Sequence, residues 1–138
     1  MRPLAAVCLL ALVLAGCGAA PQDSAKKYKG EEKTVASAVE RLEKAGRDDD
    51  PTTVCTKLLS AKLLSALAAQ GTNCKTGVKE AFKDADTFDL TVDDVTLSGA
   101  GATTKIKYRS RSKDKTATLV LDKEAGAWKI ASLGSLGS

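Results

Sequence analysis

The apolar residues of this 138-residue chain change their spacing once, close to position 88. Before it they recur every three or four residues; after it they alternate. A period of 3.6 belongs to helices and a period of 2 to strands, so the chain is predicted to place its helices first and a sheet after them. Val35, Ala38, Val39 and Leu42 share one face of a helix over Val35–Ala45, with Thr34 as its cap and Gly46 as its end. Asp50 and Pro51 open a second helix, and Val78, Ala81 and Phe82 mark a third over Cys74–Ala85. Phe88, Leu90 and Val92 then alternate, followed by Ala102, Thr104, Ile106 and Tyr108, by Ala117, Leu119 and Leu121, and by Trp128 and Ile130. Ser98–Gly101 and Lys123–Gly126 are turns. The expected class is α+β: N-terminal helices packed on a four-stranded antiparallel meander.

The first hairpin has one self-consistent register. Asp93-Asp94 interrupts the alternation, and Val95 and Leu97 resume in the opposite phase, which reads as a β-bulge. With a turn centred between Gly99 and Ala100, Leu97 faces Ala102 and Val95 faces Thr104. A one-residue shift at the bulge then sets Val92 against Ile106, Leu90 against Tyr108 and Asp89 against Arg109, while Asp94 faces Lys105. Apolar residues meet on one face and opposite charges on the other.

The 43% hydrophobic content belongs to two different objects. Arg2 precedes an apolar run, Leu4–Ala15, too short for the roughly 20 residues a spanning helix needs and matched to a secretory signal. The run ends in Leu14-Ala15-Gly16-Cys17. This resembles the lipobox of bacterial lipoproteins, which implies cleavage before Cys17, a diacylglyceryl group on its thiol, and an exported protein anchored to the outer face of the cell membrane. Two acyl chains hold firmly where one is marginal. Residues 1–16 are then the signal peptide, and 17–32 the lipidated cysteine with a polar tether that could bury no core. The folded domain is expected over 33–133, with 134–138 as a tail.

Export removes Cys8 and lipidation consumes Cys17. The remaining pair, Cys55 and Cys74, sits in an oxidising compartment, where a disulfide is the default. That bridge conflicts with a single helix from Pro51 to Gln70. Such a helix would carry residue 70 about 22 Å from Cys55. Four more residues return at most about 14 Å, and bridged α-carbons lie within about 7 Å. A break near Leu59-Ser60 is therefore expected, with Ser60 capping a second short helix, Ala61–Ala69.

Three stretches carry a further resemblance: Ala45-Gly46-Arg47-Asp48, then Cys55-Thr56-Lys57-Leu58-Leu59-Ser60 with Cys74 downstream, and Gly126-Ala127-Trp128-Lys129-Ile130. They are similar to the nuclear-transport-factor-2-like fold, shared by polyketide cyclases and ketosteroid isomerases. The arrangement is similar to a set of exported, lipid-anchored members of actinobacterial type, mostly without assigned function. It implies a cone-shaped half-barrel: a curved sheet with helices closing its mouth.

Candidate chemistry is sparse. The chain has no histidine, which excludes histidine triads, histidine-ligated metals and histidine pH switches. The formal charge of +4 is too mild for a nucleic-acid binder. Asp48-Asp49-Asp50 could hold a hard cation but reads more simply as a loop and a cap; no metal and no cofactor is expected. Asp93 or Asp94, with Tyr108 to polarise a carbonyl, is the one set that could serve an isomerase- or cyclase-like enzyme. Lys105, Lys107, Arg109, Arg111, Lys113 and Lys115 occupy every odd position over eleven residues. Asp84, Asp86, Asp89, Asp93 and Asp94 can neutralise part of that run, leaving Arg111, Lys113 and Lys115 as a partner surface for phosphate-bearing polymers or headgroups. The leading expectation is a non-enzymatic, lipid-anchored envelope protein that binds a small apolar ligand or a protein partner. The alternatives are the enzyme just described and a structural or regulatory spacer without a pocket.

Overall fold

A computed structural model describes residues 23–84 and 88–133. The leader, Cys17 and the 134–138 tail lie outside the described residues. A 3₁₀ turn at Ser24–Lys27 precedes helix α1 (Gly30–Arg47). The short helix α2 (Pro51–Thr53) runs on as a π-helical turn, Val54–Leu58, followed by α3 (Ala61–Ala69) and α4 (Cys74–Asp84). Strands β1 (Leu90–Ser98), β2 (Gly101–Ser110), β3 (Lys113–Glu124) and β4 (Ala127–Ser132) form one antiparallel sheet in the order β1-β2-β3-β4. The edge strands do not meet, so the barrel stays open, and α1 lies across the inner face.

The first hairpin has the register its residue pattern demands. Leu97 faces Ala102, Val95 faces Thr104, Val92 faces Ile106 and Leu90 faces Tyr108, with the shift between Val92 and Asp94. Gly99, at φ +57°, takes the first central position of a two-residue turn that favours glycine there. Asp89 departs from expectation. It does not pair with Arg109; it lies 2.7 Å from Nη2 of Arg47, and Arg109 turns to Asp114 at 3.2 Å.

The helix break also falls at Leu59-Ser60. Asp50 accepts from the Thr53 N–H at 2.9 Å, capping α2. Leu59 is extended (ψ 145°) and bridges Ile130 in parallel, and the Ser60 N–H donates to the Ile130 carbonyl at 2.8 Å. Ser60 Oγ accepts from the Leu63 N–H at 3.1 Å, starting α3. Cys55 and Cys74 are joined, with α-carbons 6.0 Å apart.

The N-terminal part also departs from expectation. Helix α1 begins at Gly30, not Val35; Thr34 does not cap it but donates from its hydroxyl to the Glu31 carbonyl within the helix. The segment read as a solvated tether packs against the domain from Ser24 onward. Ala25 is buried, its N–H donates to Glu40 at 2.8 Å, and Ser24 Oγ accepts from the Val92 N–H at 3.2 Å. Edge strand β1 leaves that amide free, and the 3₁₀ turn satisfies it.

The core is thin but continuous. Val35, Val39 and Leu42 of α1 meet Val92, Ile106, Leu119, Leu121 and Ile130 from the sheet, closed at one end by Trp128. Gly46 does not terminate α1. It lies within the helix against Phe88, and a β-carbon there would fall 2.1 Å from the ring. Gly46→Ala must displace that ring, so it is expected to lower stability by about 1–3 kcal/mol. Thermal unfolding should show the loss, and Phe88→Ala in the same chain should abolish the further effect of the alanine.

Candidate functional site

The pairing registers order the inner face into rows. Leu97, Ala102, Leu121 and Ile130 form the row nearest the β1–β2 turn, then Val95, Thr104 and Leu119, then Val92, Ile106 and Ala117. The next row is Leu90, Tyr108 and Lys115, and the last is Ser110 with Lys113. The face therefore grades from apolar to cationic along its length. Leu90 is buried, Tyr108 is half-buried, and Lys113 is exposed.

That ordering separates the basic run into two sets. A two-residue turn reverses side-chain parity between β2 and β3, because Ser110 pairs with Lys113. Lys105, Lys107 and Arg109 consequently point to the convex side, whereas Lys113 and Lys115 share the concave side with Tyr108. Lys107 pairs with Asp93 at 3.1 Å and Arg109 with Asp114 at 3.2 Å. Among the described residues Arg111, Lys113 and Lys115 make no ion pair.

The same parity dismantles the proposed acid–tyrosine set. Asp93 is the bulged residue, exposed and paired with Lys107; Asp94 is exposed opposite Lys105. Both carboxylates lie on the convex side, while Tyr108 lies on the concave side. They share no site. The aspartates at 48–50 are equally committed: Asp48 pairs with Lys44 at 2.5 Å, Asp49 occupies φ +49° in the turn, and Asp50 caps α2. No group able to hold a metal ion occurs among the described residues.

Helix α3 packs beside β4, and α4 beside α2, the π-helical turn and α3, and neither buries a residue of its own. Leu63, Leu64 and Leu67 of α3, and Val78 and Phe82 of α4, are half-buried against the core. Phe82 meets Phe88 edge-on, with ring centres 4.8 Å apart. Tyr28 Oη is buried with no hydrogen-bond partner among the described residues. Two open grooves, about 530 and 210 Å³, follow the charged side of α1.

Two ionic nodes escaped the sequence reading. Glu43 is buried on the apolar stripe of α1, and Arg47 Nη2 lies 2.5 Å from it and 2.7 Å from Asp89. Burial raises the Glu43 carboxyl above its ordinary range, against the pull of Arg47. A carboxylate on an apolar stripe with arginine four residues on was a legible signal. Glu31, assigned to the tether, accepts from Lys123 Nζ and, at 2.7 Å, from Nε1 of the buried Trp128. Those hydrogen bonds, Lys123 first, hold its carboxyl below the usual range.

No protein-family model matches the chain, and no curated protein matches it in sequence. Among solved structures it is similar to a de novo designed NTF2-fold protein, NT-9, at 15% identity over 74% of this chain and 84% of that one, with a TM-score of 0.49. It is likewise similar to an NTF2-like protein of unknown function from Shewanella oneidensis, at 17% identity over 74% of this chain and 95% of that one, with a TM-score of 0.48.

The two carboxylates bias stability in opposite directions. Glu31, lowered in the folded state, stabilises above the ordinary carboxylate range, and that contribution is lost as pH falls through its lowered value. Glu43, raised in the folded state, contributes most below the ordinary range and loses that contribution as pH rises through its raised value. Urea midpoints between about pH 3 and 8 should therefore lose acid-side slope in Glu31→Gln and neutral-side slope in Glu43→Gln.

Proposed function

We propose that the protein is a lipid-anchored, non-enzymatic binding module of the cell envelope. It takes a small apolar ligand at the seam between the α3–α4 hairpin and the core it packs against. The observation that carries this reading is the state of the two helices: α3 mostly apolar, α4 charged outside Val78 and Phe82, the pair tied back by one disulfide, and neither with a buried residue. A hairpin that contributes so little to the core can part from it at small cost, exposing Phe82, Val78 and Leu67. The lipobox-like Leu14-Ala15-Gly16-Cys17 supports the anchor.

The test is native mass spectrometry of the chain purified from a bacterial host, followed by Nile red titration of the extracted protein. A co-purified apolar mass, or Nile red enhancement abolished by Phe82→Lys and by Leu67→Lys in proteins with native circular dichroism, is expected. Neither a bound mass nor any enhancement by the unmodified chain would overturn the reading. A polypeptide co-purifying in place of a small molecule would overturn the ligand class and assign the seam to a protein partner.

A further inference from the structure

The β2–β3 hairpin outruns both neighbours. Strand β1 starts at Leu90, opposite Tyr108, and β4 ends at Ser132, opposite Val120. Residues 109–114 therefore project as a two-stranded ribbon. At its tip Arg111 and Ser112 hold φ +50° and +61°, the left-handed pair that a type I′ turn requires. The β3–β4 turn fills its second left-handed position with Gly126. The β2–β3 tip uses no glycine and no asparagine, so it carries backbone strain that an Asn-Gly pair would remove. What the strained sequence keeps is a cation at the apex.

That cation has company and lacks counter-charge. Arg109 is neutralised by Asp114 on the convex side, but Arg111, Lys113 and Lys115 make no ion pair among the described residues. Three cations within five residues thus face outward from the tip and the concave side.

The course of the N-terminal segment places Asp23, the first described residue, toward the same end of the domain as this tip. From Gly30 the backbone returns along α1: Ala25 bonds Glu40, Ser24 bonds Val92, and Asp23 lines a groove with Lys44, Arg47 and Asp48. Arg47 in turn bonds the Phe88 carbonyl at 3.2 Å, next to the start of β1. Asp23, the first described residue, therefore lies toward the end of the sheet that bears the β2–β3 ribbon, opposite the β1–β2 and β3–β4 turns. Asp23 is six residue steps from Cys17, a reach of about 21 Å at full extension. The ribbon spans roughly 13 Å beyond Tyr108, comparable to the gap it would have to cross.

We propose that Arg111, Lys113 and Lys115 dock the hairpin tip on anionic phospholipid headgroups of the membrane that holds Cys17. The docking rests on the anchored reading above and adds an orientation to it: α1's C-terminal end and the mouth of the concave face turn toward the bilayer. Each cation near an anionic surface contributes roughly fivefold to partition.

The test uses the full chain, expressed with its leader, purified in detergent and reconstituted into vesicles of phosphatidylcholine alone or with roughly one-third phosphatidylglycerol. Intact-mass analysis first reads the lipid on Cys17. Trypsin then cuts the vesicle-bound protein, and cleavage after Arg111 is compared with cleavage after Lys75 and Lys79 in α4. The proposal expects Arg111 to be cut at least about tenfold more slowly on the anionic vesicles. About 0.5 M salt and the Lys113→Gln/Lys115→Gln variant should each remove that protection, with α4 sites unchanged. Equal cleavage on both vesicles with Cys17 acylated overturns the docking and leaves the anchor intact. An unacylated Cys17 overturns both. Protection on neutral vesicles by added polyphosphate, without protection by phosphatidylglycerol, overturns the lipid assignment in favour of a phosphate polymer.

Discussion

The backbone hydrogen bond from Ser60 to Ile130 decides where the helices go. It forms because Leu59 leaves the π-helical turn in an extended conformation and lies parallel to the last strand. Ser60, fully buried, donates its amide to the sheet and uses its hydroxyl to start α3. Glu124, at the end of β3, accepts from the next amide, Ala61. Three amides that would otherwise be orphaned at a helix break, those of Ser60, Ala61 and Leu63, are thereby satisfied. The Cys55–Cys74 bridge then returns the chain to the same place. In the chain-entropy account a loop of this length contributes about 3 kcal/mol, a large share of the stability of a small domain. Without that pinned turn, α3 and α4 would have almost nothing to hold them.

The weakness of their attachment follows from composition. Lys33–Leu133 holds only 22 valine, leucine, isoleucine or phenylalanine residues in 101, near the roughly 20% level below which folding becomes doubtful. Nearly all of the buried ones are spent on α1, the π-helical turn and the sheet. Helices α3 and α4 contribute half-buried leucines and one edge-on phenylalanine contact instead. A domain built this way keeps a covalently tied helix pair beside its core, and that pair is where opening without unfolding is cheapest.

Much of this was readable from residue order because it follows from short-range periodicity. The bulge at Asp93 was visible as a phase switch, and the break at Ser60 as a conflict between helix length and a cysteine pair. The parts that were not readable depend on partners distant in sequence. Asp89 goes to Arg47 rather than Arg109 because the end of α1 comes to lie beside the start of β1, which no local pattern states. Glu31 looked like tether until Trp128 and Lys123 met it across the domain. The basic run looked continuous because its odd numbering hid the parity reversal at the Arg111-Ser112 turn. Only the pairing of Ser110 with Lys113 shows that Lys105, Lys107 and Arg109 face one way and Lys113 and Lys115 the other, with Arg111 at the apex. For the site this mattered more than for the fold: it moved Asp93 and Asp94 away from Tyr108 and isolated the cationic rim.

Helices α3 and α4 depend on the Cys55–Cys74 bridge and the pinned turn at Ser60, beside a core expected to stand without them. Amide hydrogen exchange of the oxidised and the reduced protein measures this dependence most directly. The account predicts that reduction strips protection from Ala61–Ala69 and Cys74–Asp84 while α1 and the β1–β3 amides keep theirs. Loss of protection throughout the domain, or unchanged protection in α3 and α4, would contradict it.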